Sequence, residues 1–303
     1  MRRLGRRRVL LLAAAAAGVG WPGWGESGHA VRWVGSALGA EASLTLHHPD
    51  RARAQRLAAL ALGEVDRLDR IFSLQRADSS LSQLNRDGRL ARPPADLTIV
   101  LELAARVSAL SAGAFDVTVQ PLWRALAQAA DGRPQPGREL ARAAALVDWR
   151  ALEVERRALR FRQPGMAITL NGIAQGYITD RIADLLRDGG LDQALVSLGE
   201  TRALGRHPAG RDWLVATDLG PVRLADDAVA VSGPPPGTAS ACMPGLLDPR
   251  AGRQVAAAPT VVVQAPRAAL ADALSTALAV ADAPARAAIV AALPALRARA
   301  WLG

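Results

Sequence analysis

Segments with the apolar spacing of strands and segments with that of helices follow one another irregularly along this chain. Residues 42–47 alternate apolar and polar side chains, whereas residues 53–71 carry apolar residues three and four positions apart. Helical spacing recurs at residues 98–111, 176–188 and 267–280. Strand-like runs recur at residues 194–198, 229–231 and 260–264, and residues 154–161 have the pattern of a hairpin. Because no regular strand–helix–strand repeat appears, the sequence favours an α+β fold over a doubly wound sheet.

The N-terminus has the pattern of an export signal. Five arginines lie within the first eight residues, and an apolar run from Val9 to Val19 follows them. Eleven residues are too few to span about 30 Å of hydrocarbon as a helix, so the run matches the core of a signal peptide. The stretch Gly5-Arg6-Arg7-Arg8-Val9-Leu10 resembles a twin-arginine signal. A Sec signal and a cytoplasmic amphipathic start remain alternatives.

We therefore divide the chain into a signal segment, residues 1–30, and one domain, residues 31–303. The expected location is the periplasm, and an uncleaved signal would hold the protein at the inner membrane.

The overall charge does not indicate a nucleic-acid partner. The formal net charge is +9, and all 37 basic residues are arginine. These arginines are interspersed with acidic residues and form no stripe with aromatic side chains, so we predict no nucleic-acid binding. Cys242 is the single cysteine, which excludes an intramolecular disulfide and a cysteine zinc site. We expect it to be an ordinary thiol.

Residues 168–180 carry the most informative local pattern. A short β-prone run, residues 168–170, leads into an Asn171-Gly172 turn and then a helical pattern. A glycine-lined turn lets a ligand approach the backbone, and the following helix N-terminus points amide donors at it. The segment therefore predicts a corner suited to an anion such as a phosphate, although many such corners bind nothing.

Two further places offer side chains for chemistry. Asp272 and Thr276 are four residues apart on the predicted C-terminal helix, so they share a face. Their oxygens, with Ser275 as a further donor, suit Mg²⁺. The alternative is an exposed Asp272 in the first turn of that helix. Phe115 and Asp116 follow a glycine, and their alternatives are a core residue and a turn cap.

Taken in order, seven short segments resemble those of the ApbE-type family, the FAD:protein FMN transferases. One of them is Gly113-Ala114-Phe115-Asp116-Val117-Thr118-Val119-Gln120-Pro121-Leu122, and another is residues 168–180, which contain the glycine turn Gly172-Ile173-Ala174-Gln175-Gly176-Tyr177. The other counterparts lie at residues 72–85, 195–200, 229–233, 245–252 and 272–276. The resemblance covers roughly residues 34–300. With the twin-arginine pattern, it extends to the exported branch resembling NosX.

The resemblance implies a fold and a reaction. The fold is an α+β one with mixed, largely antiparallel sheets and flanking helices. In the reaction, a Thr or Ser hydroxyl of a target protein attacks the FMN-side phosphate of FAD, AMP leaves, and FMN stays attached through a phosphoester. Mg²⁺ is the implied cofactor. The partners are FAD as substrate and a flavin-acceptor protein, a membrane-associated or exported redox subunit.

The resemblance also implies which residues form the site. The metal would take the backbone carbonyl of Gly172 and the side chains of Asp272 and Thr276, with Ser275 nearby. Asp116 and Thr276 are the implied catalytic residues. The residues implied to contact FAD are Leu38, Gln75, Ala114, Phe115, Asp116, Thr169 and Gln175.

Three positions depart from the family pattern. Thr169 replaces an aspartate, Gln175 replaces a lysine, and Gly245 replaces a histidine that contacts the cofactor or assists proton transfer in relatives. These departures keep two alternatives open, an exported flavin-binding or accessory protein with weak or no transfer, and a purely structural periplasmic domain. His207 is not predicted to substitute for the missing histidine, and we expect it at the surface.

Overall fold

The computed structural model describes residues 30–37, 40–130, 137–234, 245–294 and 296–301. Its largest sheet has seven strands: β1 (Ala30–Ala37), β2 (Ala40–His47), β6 (Ala194–Ser197), β7 (Thr201–Leu204), β10 (Ala228–Ser232), β13 (Thr260–Ala265) and β14 (Arg297–Trp301). Their spatial order is β1-β2-β6-β7-β10-β13-β14, and every neighbouring pair is antiparallel. The predicted α+β class with antiparallel pairing is confirmed.

Three smaller sheets lie outside this one. Strands β3 (Arg89–Ala91), β5 (Ala158–Phe161) and β4 (Leu152–Glu155) pair in that order. Strands β8 (Trp213–Val215) and β9 (Val222–Leu224) form one hairpin, and β11 (Leu247–Asp248) and β12 (Arg253–Gln254) form another. The hairpin predicted at residues 154–161 is therefore present as β4 and β5.

Eight helices accompany the sheets in the described part of the chain. They are α1 (Arg51–Phe72), α2 (Ser80–Asp87), α3 (Ala95–Leu110), α4 (Gln120–Ala130), α5 (Gly137–Ala144), α6 (Ala174–Asp188), α7 (Ala268–Val280) and α8 (Ala283–Ala291). None of these helices is both long and apolar enough to cross a bilayer.

The main core forms between one face of the large sheet and helices α1, α6 and α7. Its members include Leu44 on β2, Leu68 on α1, Ile182 on α6 and Leu274 on α7, all fully buried. Burying one such side chain contributes roughly 1.5–3 kcal/mol. Because α7 is rich in alanine, it can pack closely against α6, β10 and β13. The core therefore fixes the positions of α6 and α7.

The β-prone run at residues 168–170 is not a strand. Its backbone N–H groups donate to two different partners: the Ile168 N–H donates to Asn85 Oδ1 at 2.7 Å, and the Thr169 N–H donates to the Val117 carbonyl at 2.8 Å. No neighbouring strand in the described chain supplies a ladder for it, so the strand prediction here is wrong. Residues 171–173 do form a turn, and α6 begins directly after it.

Other predictions fall wholly or partly outside the described residues. The export signal (apart from Ala30, which begins β1), Leu38 and Cys242 lie there.

His207 is buried, and the prediction of a surface position is wrong. Its ring packs edge-on against Trp213 at a centroid distance of 4.8 Å and against His47 at 5.6 Å. His47 also contacts Trp213, at 5.7 Å. No local pattern predicts this cluster, because its three members come from separate segments that meet only when β8 folds back toward the end of β2.

We expect this cluster to make the protein sensitive to mild acid. Burial, and then the charge of the other imidazole, lowers the pKa of His47; burial, and then Arg211, lowers the pKa of His207. Below about pH 6.5, the unfolded chain therefore binds protons that the folded chain does not, and the free energy of unfolding falls with pH. Urea titrations at several pH values should show a smaller decrease for His47→Phe. An unchanged decrease would contradict this origin.

Candidate functional site

A cavity of about 370 Å³ lies where the glycine turn, the Phe-Asp segment and α7 meet the ends of β10 and β11. Its volume is in the range of small-molecule sites. The lining residues are Ala114, Phe115, Asp116, Val117, Val119, Trp123, Thr169, Asn171, Gly172, Gln175, Glu200, Val231, Ser232, Gly233, Gly245, Leu246, Leu247, Pro249, Asp272 and Thr276. Eight of the eleven residues predicted for the site therefore line one cavity.

The backbone of Gly172 lies directly against the Thr276 hydroxyl. A Cβ added to Gly172 would lie 2.9 Å from Thr276 Oγ1 and 3.3 Å from the Phe115 ring. Such contacts require something to shift, so glycine is what allows the turn to approach α7. Gly172 and Thr276 lie more than a hundred positions apart in the sequence, and both are predicted metal ligands. The turn thereby brings them into contact.

Asp272 is buried at the start of α7, so the alternative of an exposed carboxylate is wrong. Only 3% of the residue is exposed, and Oδ2 accepts a hydrogen bond from the Gly176 N–H at 3.1 Å. Gly176 is in the first turn of α6, where backbone N–H groups lack partners within the helix. One oxygen of the Asp272 carboxylate therefore accepts a hydrogen bond from the N-terminal turn of α6, and the other oxygen can bind a ligand.

Glu200 is a site residue that the sequence analysis missed. It lies in the β6–β7 turn, is 9% exposed, and lines the same cavity as Asp272. Burial raises the pKa of Asp272 to about 7, and burial together with the Asp272 charge raises the pKa of Glu200 well above its usual value. The sequence signal that could have indicated Glu200 is an acidic residue directly after Gly199, where the strand predicted over residues 194–198 ends.

Ser275 supports the site from behind. It is fully buried and is not among the lining residues; its hydroxyl donates to the Asp272 carbonyl at 2.9 Å and lies 2.7 Å from Ser232 Oγ. Ser232 also lies 3.3 Å from Thr276 Oγ1 and does line the cavity. These contacts join Ser275, Ser232 and Thr276 in a chain of hydroxyl groups.

Asp116 uses both carboxylate oxygens within its own wall. Oδ1 accepts from the Thr118 N–H at 2.8 Å and from the Thr118 hydroxyl at 2.6 Å, and Oδ2 accepts from the Trp149 N–H at 3.0 Å. Burial nevertheless raises its pKa, against these hydrogen bonds. Asp116 therefore does cap a turn, as the alternative interpretation of the sequence had it. Its catalytic role stays a prediction, while Ala114 and the buried Phe115 line the cavity beside it.

The two altered residues of the turn also face the cavity. Thr169 and Gln175 line it, and the Gln175 amide packs against Gly199, whose φ is +98° and which has no room for a Cβ. Gln75 is exposed and lies outside the described lining, where it bonds to the Ser73 side chain. Its predicted contact with FAD stays a prediction.

Gly245 and Trp123 also line the cavity. Gly245 brings no side chain, and a Cβ there would lie 3.2 Å from Gln254 Nε2. Trp123, in the first turn of α4, is half-buried and presents an indole to the cavity, a feature that the sequence analysis did not single out. With Phe115, it gives the cavity aromatic surface for a planar ring.

The charge of the cavity fits an oxygen-seeking cation. Three carboxylates line it (Asp116, Glu200 and Asp272), and its described lining contains no arginine. No group of three or more His, Cys, Asp or Glu side chains among the described residues is arranged to hold a metal. The lining instead offers carboxylates and the Thr276 hydroxyl, and the Gly172 carbonyl stays a predicted donor; such a set suits Mg²⁺ because that ion keeps several waters or substrate oxygens.

Comparison with known proteins gives a consistent result. The family model described as the ApbE family matches residues 38–299. The FAD:protein FMN transferase of Vibrio cholerae is 32% identical over 166 residues, which cover 51% of this chain and 49% of that protein. The transferase of the same description from Klebsiella pneumoniae is 29% identical over 177 residues, covering 55% and 51%. The chain spans about half the length of these curated relatives.

Solved structures show the same fold over most of the chain. The flavin transferase ApbE of Vibrio cholerae superposes with a TM-score of 0.77 at 25% identity, covering 90% of this chain and 94% of that one. The apo form of the flavinyl transferase ApbE of Pseudomonas stutzeri superposes with a TM-score of 0.78 at 24% identity, covering 90% and 95%.

Proposed function

The chain belongs to the ApbE family, and from this membership we propose that it transfers FMN from FAD to a Thr or Ser hydroxyl of an acceptor protein. Curated relatives matched over about half their length are FAD:protein FMN transferases. The observation that carries the proposal is the meeting of Gly172, Asp272 and Thr276 at one end of a cavity whose other walls are aromatic and polar.

The charge of the cavity supports a metal-dependent reaction. A pyrophosphate would face carboxylates with no arginine among the described lining, so it needs a cation between them. Gly172, Asp272 and Thr276 would hold that cation, with Ser275 fixing the hydroxyl chain behind them. When bound, Mg²⁺ neutralises charge on the pyrophosphate and on the departing phosphate.

The reaction is a phosphoryl transfer. The acceptor oxygen forms a bond to the FMN-side phosphorus, the bond from that phosphorus to the bridging oxygen breaks, and AMP leaves. The chain's part is to position the two reactants and exclude water. Gly245 has no group that takes a proton, so the hydroxyl proton passes to water or to the phosphate of the released AMP, and not to a histidine as in the family pattern.

An accessory flavin-binding protein with weak or no transfer is the second candidate. Thr169, Gln175 and Gly245 favour it, because each lines the cavity and lacks the charge or the imidazole of the family pattern. The grouping of Asp272, Thr276 and Gly172 at the cavity favours transfer, because a flavin binder that needs no metal has no use for oxygen donors placed together in this way.

The two candidates are separated by incubating the purified protein with FAD, Mg²⁺ and an acceptor-domain protein. Flavin fluorescence in the denaturing gel band of the acceptor reports covalent transfer. Omission of Mg²⁺ should remove the signal. Retention of FAD with no labelled band on several acceptors would support the accessory protein and contradict the transferase.

Thr276→Ala should lower the transfer rate about a hundredfold, because it removes a ligand oxygen and opens the hydroxyl chain to Ser232. Thr276→Ser keeps that oxygen and should retain most of the activity, which makes it the matched control. The measurement is the initial rate of acceptor labelling at saturating FAD and at two Mg²⁺ concentrations. Equal rates for Thr276→Ala and the unmodified protein would refute the metal assignment.

We also propose that the protein is exported by its twin-arginine signal and acts on a membrane-associated or exported redox subunit. Replacing Arg6, Arg7 and Arg8 with lysine should leave the protein in the cytoplasmic fraction, because the signal requires arginine pairs. Its continued appearance in the periplasm would point to a Sec signal instead.

A further inference from the structure

Helices α6 and α7 each begin without a cap from their own sequence. The N-cap residue of α6 is Ile173 and that of α7 is Arg267, and neither makes a side-chain capping bond. Helix starts normally satisfy their free N–H groups with a Ser, Thr, Asp or Asn at this position. Both helices border the cavity, so their ends set the position of the groups that line it.

Each helix caps the other. The Asp180 carboxylate, on α6, accepts the Ala268 N–H at 2.9 Å on Oδ1 and the Ala269 N–H at 3.0 Å on Oδ2. In return, the Asp272 carboxylate, on α7, accepts the Gly176 N–H of α6 at 3.1 Å. Because both carboxylates also face the positive end of a helix dipole, the exchange stabilises both helix starts.

The two helix ends approach so closely that only glycine fits between them. A Cβ on Gly176 would lie 2.6 Å from the Ala268 carbonyl carbon and 2.7 Å from Ala269 Cα, both backbone atoms that cannot turn aside. The reciprocal bonds therefore act over a short and fixed distance, and a shift of either helix moves Asp272 relative to Gly172 and the glycine turn.

We propose that Asp180 is a positioning residue that sets the place of the Asp272 carboxylate by capping α7. This inference rests on the proposed function for what Asp272 then binds, but the capping itself is a property of the fold. Asp180 is 1% exposed and does not line the cavity, so it acts through α7 and does not touch a substrate.

A buried arginine on β7 links the Asp180 carboxylate to the large sheet. Arg202 on β7, two residues after Glu200, donates to Asp180 Oδ1 at 2.9 Å and is 3% exposed. The arginine compensates the buried charge of Asp180, which would otherwise be costly. Through this pair, the position of the β6–β7 turn is coupled to the position of α7.

Asp184 supplies a matched control. It lies one turn further along α6 and pairs with the same two arginines as Asp180. Arg267 Nε lies 3.3 Å from Asp180 Oδ2, and Asp184 accepts from Arg202 at 3.1 Å and from Arg267 at 2.9 and 2.7 Å. Its bonds in the network are to arginines and not to the N–H groups of α7. Replacing either aspartate weakens the ion pairs, but only Asp180 removes the cap.

Asp180→Asn changes the cap without changing its size. An asparagine has one oxygen and one NH₂ group, so it cannot accept from the Ala268 and Ala269 N–H groups on two oxygens. We expect the first turn of α7 to loosen and Mg²⁺ affinity to fall by about tenfold, the effect typical of partners that orient a metal ligand. Asp184→Asn should lower it by less than about twofold.

The test measures two quantities on the full chain. Hydrogen exchange without metal should rise at residues 268–272 and 174–176 in Asp180→Asn but not in Asp184→Asn, and calorimetric titration with Mg²⁺ in the presence of FAD gives the affinity. Unchanged local exchange, an equal rise over the whole chain, or an unchanged affinity would each overturn the inference.

If the unmodified protein binds no Mg²⁺, the metal part of the proposed function is wrong, and the exchange pattern alone decides whether Asp180 holds α7. If Asp180→Asn does not fold, Asp180→Glu keeps the charge opposite Arg202 and moves the oxygens, so the same two measurements apply to it.

Discussion

Asp272→Asn should lower the rate of flavin transfer by about a hundredfold to a thousandfold while leaving the metal-free protein as stable as before, or more stable. The activity falls because the substitution removes the negative charge that would hold the cation between the chain and the pyrophosphate. The fold does not suffer, because Asn keeps an oxygen for the Gly176 N–H and has the same shape.

The stability that we expect Asp272→Asn to gain comes from Glu200, the second buried carboxyl group in the cavity. Asp272 and Glu200 line one cavity, and burial together with the Asp272 charge raises the pKa of Glu200 well above its usual value. A neutral residue at position 272 removes that repulsion in the absence of metal. The measurements are the labelling rate with Mg²⁺ and the melting temperature in EDTA.

Asp66→Asn is the control for Asp272→Asn, since it removes a carboxylate whose ion pair with Arg70 is exposed on α1. Neither its activity nor its melting temperature should change beyond what an exposed pair contributes, about 0–1 kcal/mol. An Asp272→Asn protein that is fully active, or one that is inactive only because it is unfolded, would contradict the role assigned to Asp272.

Gly176→Ala should destabilise the protein by about 3 kcal/mol or more, at the upper end of what overpacking costs. The added methyl group meets the backbone of Ala268 and Ala269, and relief requires α6 and α7 to separate. Separation breaks the Asp180 and Asp272 caps as well, so transfer activity should fall together with stability.

Gly63→Ala tests the same substitution where space is open. Gly63 lies inside α1 with nothing within 4 Å of an added Cβ, so alanine should stabilise the helix by roughly 0.5–1 kcal/mol. Urea unfolding of both variants gives the comparison. Equal stabilities for the two would show that α6 and α7 do not approach as described.

The elements could be predicted where the local pattern is long. The helix predicted over residues 53–71 is α1, and the strand predicted over 42–47 lies within β2, because both are amphipathic over several turns or alternations. The strand prediction at residues 168–170 was wrong, because so short a β-prone segment does not reveal whether a neighbouring strand will supply hydrogen bonds.

Some residues of the site could likewise be predicted from the sequence, and others could not. Gly172, Asp272 and Thr276 could be predicted from segment order, since their resemblance to a family carries the long-range pairing with it. Glu200 could not, because its burial depends on β6 pairing with β7 and on where that turn meets α7. The Asp180 cap was also beyond prediction, since it joins residues 88 and 89 positions apart.

The departures at Thr169 and Gln175 have a structural context that the sequence did not provide. Gln175 packs its amide against Gly199, beside Glu200, and so joins the glycine turn to the β6–β7 turn. A neutral amide there adds no positive charge beside the buried carboxyl groups of Glu200 and Asp272. The proposed cation therefore matters more in this cavity, and we expect transfer to depend strictly on Mg²⁺.

The most direct test of the account is the mass of the acceptor protein after incubation with FAD and Mg²⁺, measured together with the AMP in the same sample. The account predicts an acceptor heavier by one FMN less one water, with one AMP released for each acceptor labelled, and no product from Asp272→Asn. An acceptor of unchanged mass while the protein retains FAD, or a labelled acceptor without AMP, would contradict it.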